Sequence, residues 1–266
     1  MLDIQGVKKT FNLGTVNEKQ ALSGVGLTLN AGDFAALIGG NGAGKSTLLN
    51  AVAGVFPIDG GRILIDGRDV TALSEHKRAR FLGRVFQDPM LGTAANMGIE
   101  ENLALAYRRG KHRTLRWGIT NRERALFREL LAELNLGLED RLTTKVGLLS
   151  GGQRQALTLL MATLTPEKPR LLLLDEHTAA LDPQTSATVL HLTEKLIAEH
   201  RLTTLMVTHN MREAIQLGNR LIMMDGGRII LDVSGEQKRE LTVDKLMAAF
   251  AALSGSELAS DRMLLS

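Results

Sequence analysis

The feature that most constrains the fold is an apolar run, Phe34 to Ile38, that breaks into Gly39-Gly40-Asn41-Gly42-Ala43-Gly44-Lys45-Ser46 and resumes through Thr47 with helical spacing of Leu48, Leu49 and Val52. Gly39, Gly44, Lys45 and Ser46 fit GxxxxGKS, and a strand before it with a helix after it is the context a phosphate-binding loop requires. Glycines let the backbone curl so that successive N–H groups face a phosphate. Lys45 then reaches the β and γ phosphates of a nucleotide, and Ser46 offers its hydroxyl to Mg²⁺. An ordinary glycine turn is a poor alternative in that context.

A second run, Leu171 to Leu174, is followed by Asp175 and Glu176, so two carboxylates emerge at the C-terminal edge of a fully apolar strand, where ligands of parallel sheets bind. Asp175 can hold Mg²⁺ directly or through water. Glu176 can orient and deprotonate a water that attacks the γ-phosphate. These two features fit a P-loop kinase, a GTPase or a helicase equally well.

The surrounding pattern gives the architecture. Short strands around Leu2 to Thr10, Val25 to Asn30 and Arg62 to Asp66, with turns expected at Gly60-Gly61 and Asp66-Gly67, predict an antiparallel β flank. From Asn96 to Leu149 the sequence becomes charged and leucine-spaced, with Leu126, Leu130, Leu131 and Leu134 at helical intervals, which predicts an inserted helical lobe. Strand and helix then alternate: helix Gly151 to Thr163, strand Leu171 to Asp175, helix Gln184 to Glu199, strand Thr203 to Thr208 and helix Asn210 to Leu217. That alternation predicts a parallel sheet with crossover helices. A hairpin at Asp225-Gly226-Gly227, a short helix over Val243 to Leu253 and a Ser-rich tail close the chain.

Composition removes several classes. With 44% hydrophobic and 23% charged residues the 266-residue chain is globular, and the absence of cysteine leaves no disulfide framework or thiolate metal site. The first residues carry Asp3, Lys8 and Lys9 without an apolar core between them, unlike a signal peptide, and no run of about eighteen apolar residues predicts a membrane span. A net charge of +3 does not make a nucleic-acid binder, and no nucleic acid is expected among the partners.

Leu149-Ser150-Gly151-Gly152-Gln153 separates the remaining alternatives. It opens a helix with Ser150 as a natural N-cap and two glycines that leave N–H groups accessible to an anion at the positive end of the dipole. Lying shortly before the Asp175-Glu176 strand, it resembles the signature of the ABC ATPase family. The ordered set GGNGAGKS, Gln87 in VFQDP, LSGGQRQ, LLLLDE, Ala180-Leu181-Asp182 and His209 after TTLMVTH carries that resemblance over nearly the whole chain.

The resemblance implies a P-loop NTPase core (1–95 and 151–240) with a parallel sheet and antiparallel β flank, a helical signature lobe (96–150) and a C-terminal helix and tail (241–266). It implies that Gln87 links Mg²⁺ and the γ-phosphate to the permease contact, that His209 contacts the γ-phosphate, that Phe11 stacks on adenine and that Asp182 belongs to the nucleotide site. The segment from Asn12 to Gln20 is long enough to displace Phe11 from that role. Members hydrolyse ATP in a head-to-tail dimer, the phosphate loop of one copy facing the Ser-Gly-Gly of the other. One set of motifs here therefore implies a second copy, transmembrane permease subunits, an extracytoplasmic solute-binding protein, and a peripheral place on the cytoplasmic face of the membrane. Stretches such as DEHTAALDP resemble importer ATPases of tryptophan/tyrosine-type uptake systems. ABC ATPases that act on ribosomes or DNA are the alternative, although those usually carry paired ATPase domains or long coiled coils.

In one respect the chain departs from the family pattern: Asp-Glu-Pro is replaced by Asp175-Glu176-His177. With no cysteine or second histidine nearby in sequence, His177 reads as structural, not as a metal ligand. A basic run from Tyr107 to Trp117 reads first as a solvated loop, and second as a contact for anionic lipid or the permease rim.

Overall fold

The computed structural model describes residues 1–110, 118–164 and 169–254. In chain order the elements are β1 (Leu2–Phe11), β2 (Lys19–Leu29), β3 (Phe34–Ile38), α1 (Lys45–Ala53), β4 (Gly60–Ile65), β5 (Arg68–Asp69), α2 (Glu75–Arg78), β6 (Leu82–Val85), α3 (Ile99–Tyr107) and α4 (Asn121–Ala132). They continue with α5 (Gly151–Thr163), β7 (Leu171–Asp175), α6 (Pro183–His200), β8 (Thr203–Val207), α7 (Met211–Gln216), β9 (Arg220–Asp225), β10 (Arg228–Ser234), α8 (Gly235–Arg239) and α9 (Val243–Ser254).

Two sheets organise the described residues. One has the order β10-β9-β3-β8-β7-β6, parallel throughout except for the β9/β10 hairpin; the other, β2-β1-β4-β5, is antiparallel. The parallel strands are buried on both faces, which is why they read as unbroken apolar runs. Ala36, Ile38, Leu172, Leu174 and Met206 face a core shared with α5, α6 and the Asn96–Leu149 segment, where Phe127, Leu131 and Val146 are buried. Their alternates Ala35, Leu37, Leu171, Leu173, Leu205 and Val207 face a second core made with α1 and the antiparallel sheet.

Two local readings of the sequence change. Gly60 and Gly61 do not form a turn; they begin β4, and Gly61, at φ 89°, passes so close to β1 that a Cβ there would lie 2.5 Å from the Gln5 carbonyl oxygen. A bulge in β1 between Gln5 and Lys8 needs that approach, and only glycine permits it. Strand β2 also starts earlier than expected, at Lys19, because Lys19 and Gln20 pair with Phe11 and Thr10. The Asp66-Gly67 turn is as expected, with φ 53° and 76°.

An arginine that the sequence does not single out holds α1 in place. Arg78, 1% exposed, donates from Nη1 to the carbonyls of Ala51 (2.7 Å) and Val52 (2.8 Å), from Nε to Leu73 (2.8 Å) and from Nη2 to Thr71 (2.9 Å). It thereby satisfies carbonyls at the C-terminal end of α1, where a cation is favoured by the helix dipole.

Candidate nucleotide-binding and catalytic site

Four neighbouring parallel strands end at one edge, and each hands a predicted residue to it. Leu37, in β3, and Asp175, in β7, are both register partners of Val207 in β8, while Val85 in β6 pairs with Leu174. The chain therefore leaves β3 into Gly39, β7 into Glu176, β8 into Thr208 and His209, and β6 into Phe86 and Gln87, all on the carboxyl side of the sheet.

The loop Gly39–Gly44 is shaped by close approaches. Gly39 and Gly44 have φ 151° and 101°; a Cβ on Gly39 would strike the Met224 carbonyl oxygen, and one on Gly44 would lie 2.6 Å from that of Ala21. Helix α1 opens with no side-chain cap at Gly44, so its first N–H groups are left for an anion. Gly40 accepts from the Ala43 N–H at 3.1 Å, Asn41 and Gly42 form the exposed crest, Ser46 is exposed on the first turn, and Thr47 follows half-buried. Lys45 is buried, and its Nζ donates back to the carbonyls of Gly39 (2.7 Å) and Gly40 (3.2 Å). Burial lowers its pKa, opposed by the carboxylates of Glu176 and Asp175.

Asp175 is held by an arginine that spacing could not reveal. Arg84, in β6, donates from Nη2 to Asn50 Oδ1 (2.6 Å) and lies 3.4 Å from Asp175 Oδ2, with its guanidinium stacked 4.5 Å from the Phe86 ring. Burial raises the Asp175 pKa; Arg84 opposes this, Glu176 adds to it and Lys45 opposes it. The Ser46 hydroxyl, Asp175 carboxylate and Gln87 amide are oxygen donors suited to a hard cation such as Mg²⁺. Among the described residues no cluster of three or more His, Cys, Asp or Glu side chains could hold a metal by itself. These residues therefore fit an ion that brings further ligands from phosphates, as Mg²⁺ does with a nucleotide.

Glu176 has the left-handed φ of 45°, uncommon for a residue other than glycine. Its N–H donates to the Val207 carbonyl (3.0 Å), and its own carbonyl accepts from Ala179 N–H (3.0 Å). His209 Nδ1 lies 3.4 Å from Glu176 Oε2. Gln87 is exposed in the loop after β6, where the preceding carbonyl of Phe86 accepts from Gln155 Nε2 (3.3 Å). Beside that loop lies a depression of about 250 Å³ bordered by Phe86, Leu91, Ala106, Arg109 and Met161.

The predicted cap at Ser150 is present. Its hydroxyl accepts from Gln153 N–H and Gln153 Oε1 accepts from Ser150 N–H, both at 3.2 Å. Gly151 is exposed, whereas Gly152 is buried so tightly on α6 that a Cβ would collide with the Thr185 side chain. Asp182 caps α6, its Oδ1 accepting from Thr185 N–H at 3.0 Å. Phe11 pairs across the hairpin with Lys19, meets Phe56 edge to face at 5.2 Å and lies half-buried with Lys9 Nζ 5.5 Å from its ring centre. Lys19 Nζ lies 3.4 Å from where a Cβ on Gly42 would be, a cation at the mouth of the phosphate loop.

Within the basic run, Arg108 pairs with Glu123 at 3.1 Å and half-buried Arg109 donates to the Ala162 carbonyl at 2.9 Å, so these two are committed internally. Lys111 to Trp117, like the Ser-rich tail, lie outside the described residues. No described helix is long and apolar enough to cross a membrane.

His177 is 2% exposed, and its burial lowers the pKa from 6.5 to about 4. The folded state therefore prefers the neutral ring. Stability from this group is complete above the unfolded value and is lost as pH falls from 6.5 towards 4, because only the unfolded chain takes up the proton. Wild type should lose up to about 3 kcal/mol more than His177→Gln across that window in denaturant titrations. Parallel pH profiles for the two would refute this.

Residues 22–179 match the family model described as ABC transporter. A tyrosine transport ATP-binding protein of Clostridioides difficile is 43% identical over 250 residues, covering 94% of this chain and 98% of that protein. An aliphatic sulfonates import ATP-binding protein of Agrobacterium fabrum is 38% identical over 90% of this chain and 81% of its own length. Among solved structures, a dimeric post-hydrolysis state of an ATP-binding cassette with ADP and Pi superimposes with a TM-score of 0.73 at 26% identity, covering 88% of this chain and 98% of that one. The chain belongs to the ABC transporter family, and its fold is that of the ATP-binding, ATP-hydrolysing cassette.

Proposed function

We propose that this chain is the ATPase subunit of an importer, two copies closing head to tail around two ATP molecules to drive separate permease subunits. The observation that carries the reading is the convergence of Lys45, Asp175, Glu176 and His209 on one sheet edge. The outward display of the capped α5 N-terminus, beside Leu148 at 73% exposure, supports a partner copy there.

In this reading the loop from Gly39 to Thr47 wraps the phosphates, and Lys45 exchanges the Gly39 and Gly40 carbonyls for phosphate oxygens. Ser46, Gln87 and Asp175 hold Mg²⁺, which when bound neutralises charge on the β and γ phosphates. Glu176 accepts a proton from the attacking water as the bond between the γ phosphorus and its bridging oxygen breaks, giving ADP and phosphate. His209 orients Glu176 from 3.4 Å and meets the γ-phosphate. Ser150, Gly151, Gly152 and Gln153 of the second copy present helix N–H groups to that same phosphate, and Asp182 sits at the seam. Loss of the γ-phosphate contact lets the copies part. Residues 96–150 act as the lobe carrying the signature between the two motions.

Phe11 stacks on adenine, which contributes roughly 1 kcal/mol. Phe11→Ala should weaken ATP binding several-fold with turnover at saturation unchanged, and equal nucleotide affinity would remove Phe11 from the site.

The depression bordered by Phe86 and Leu91 is where the permease docks, and the relatives' names favour uptake of a small solute, with an aromatic amino acid first. A solute-binding protein outside the membrane completes the system, and the chain works at the inner membrane face. Purification of the tagged chain from native membranes in mild detergent, followed by mass spectrometry, tests this. A multi-span permease is expected; ribosomal or DNA-bound companions alone would overturn it.

A further inference from the structure

We infer that the buried pair His177–Thr193 is a positioning device for the general base, fixing the turn that carries Glu176 to the body of α6. The inference rests on the reading of Glu176 as that base.

Three observations support it. His177 and Thr193 are 2% and 1% exposed, and His177 Nε2 lies 3.0 Å from Thr193 Oγ1. The Thr193 hydroxyl already donates its one proton to the Val189 carbonyl at 2.8 Å, so towards His177 it can only accept. Nε2 therefore carries the proton, and the imidazole is fixed in one tautomer and one orientation by a directional bond to the helix.

The residue before it is the one under backbone strain. A non-glycine residue at φ 45° persists only when its surroundings over-determine it. Glu176 N–H is held by Val207 on one side, and the backbone turns from Glu176 to Ala179 and from Thr178 to Leu181 close the other. Those turns connect to Asp182 at the start of α6, but the Asp182 side chain, bonded to Thr185 in the first turn, does not reach the helix's middle. His177 does so, ten residues beyond the Asp182–Pro183 junction where the helix begins, at about three turns' depth. A rigid side-chain strut next to the strained residue limits how far the carboxylate can swing from the attacking water, and displacement by about 1 Å can cost on the order of a hundredfold in rate.

The test is a set of variants assayed for phosphate release and for binding of a fluorescent ATP analogue. His177→Ala should lower kcat about tenfold while KM for ATP stays within about twofold. Thr193→Val should do the same, and the double variant should be no worse than either alone. His177→Gln, which places an amide donor near the Nε2 position, and Thr193→Ser, which keeps the acceptor, should each recover most of the rate. A merely structural contribution would lower thermal stability without that split and without rescue. Should His177→Ala fail to fold, Thr193→Val against Thr193→Ser carries the comparison.

Unchanged kcat in both His177→Ala and Thr193→Val, alongside a Glu176→Gln variant that no longer turns over, overturns the inference while leaving the base assignment intact. Normal turnover by Glu176→Gln would remove the base assignment itself.

Discussion

Glu176→Gln is expected to bind ATP as tightly as wild type and to hydrolyse it at least about a hundredfold more slowly, the low end for loss of a general base. The amide keeps the size of the carboxylate, so the left-handed turn and its bonds to Val207 and Ala179 survive. What it loses is the ability to take the proton of the attacking water. Phosphate release and nucleotide binding measured on one preparation separate the two effects. Turnover within a few-fold of wild type would exclude Glu176 as the base, and lost ATP binding would show that the substitution had disturbed the phosphate loop.

Arg78→Met is expected to produce the largest loss of stability. The side chain keeps most of its apolar stem but withdraws the guanidinium donors from the Val52, Thr71 and Leu73 carbonyls and from that of Ala51, which keeps only the Gly54 N–H at 3.2 Å. Leaving a buried acceptor unpaired costs about 1–3 kcal/mol each. Allowing for water entry and relaxation, the sum should be at least about 3 kcal/mol and lower Tm by about 10 °C in a chain of this size. Gly54, whose added Cβ would lie 2.7 Å from Arg78 Nε, is what lets the guanidinium come this close to the helix end. Because α1 carries Lys45 and Ser46, ATP affinity should fall with stability. A Tm within about 2 °C of wild type would show that Arg78 does not clamp the helix.

The difference between these residues explains what could be read from the chain. Lys45, Ser46, Asp175, Glu176 and the Ser150 cap were legible because each belongs to a local rule: a glycine loop between strand and helix, acids at the end of an apolar strand, a hydroxyl three residues before a glutamine. The parallel sheet was legible because strands buried on both faces cannot hide their composition. Gln87, His209, Phe11 and Asp182 carry no such local signal and entered only through the ordered resemblance.

Arg78, Arg84 and the His177–Thr193 pair are different again. Arg78 sits in a short polar segment, EHKR, that looks like surface; only the approach of α1 makes it a buried donor. Arg84 lies 91 residues before Asp175, and its place beside that carboxylate follows from the pairing of β6 with β7. His177 showed itself by its departure from the family pattern, yet its partner lay 16 residues on, in the middle of a helix. Gly60-Gly61 failed for the opposite reason: a glycine pair usually marks a turn, but here its freedom serves a bulge in the neighbouring strand.

In the proposed cycle ATP itself joins two copies, through the phosphate loop of one and the α5 N-terminus of the other. Sedimentation of purified Glu176→Gln chain with Mg²⁺ and either ATP or ADP tests it most directly. A species of twice the 28.9 kDa chain mass is expected with ATP and a single chain with ADP, and Ser150→Arg should abolish the ATP dimer while leaving ATP binding in place. A Glu176→Gln chain that holds ATP at saturation and still sediments as one copy would contradict it.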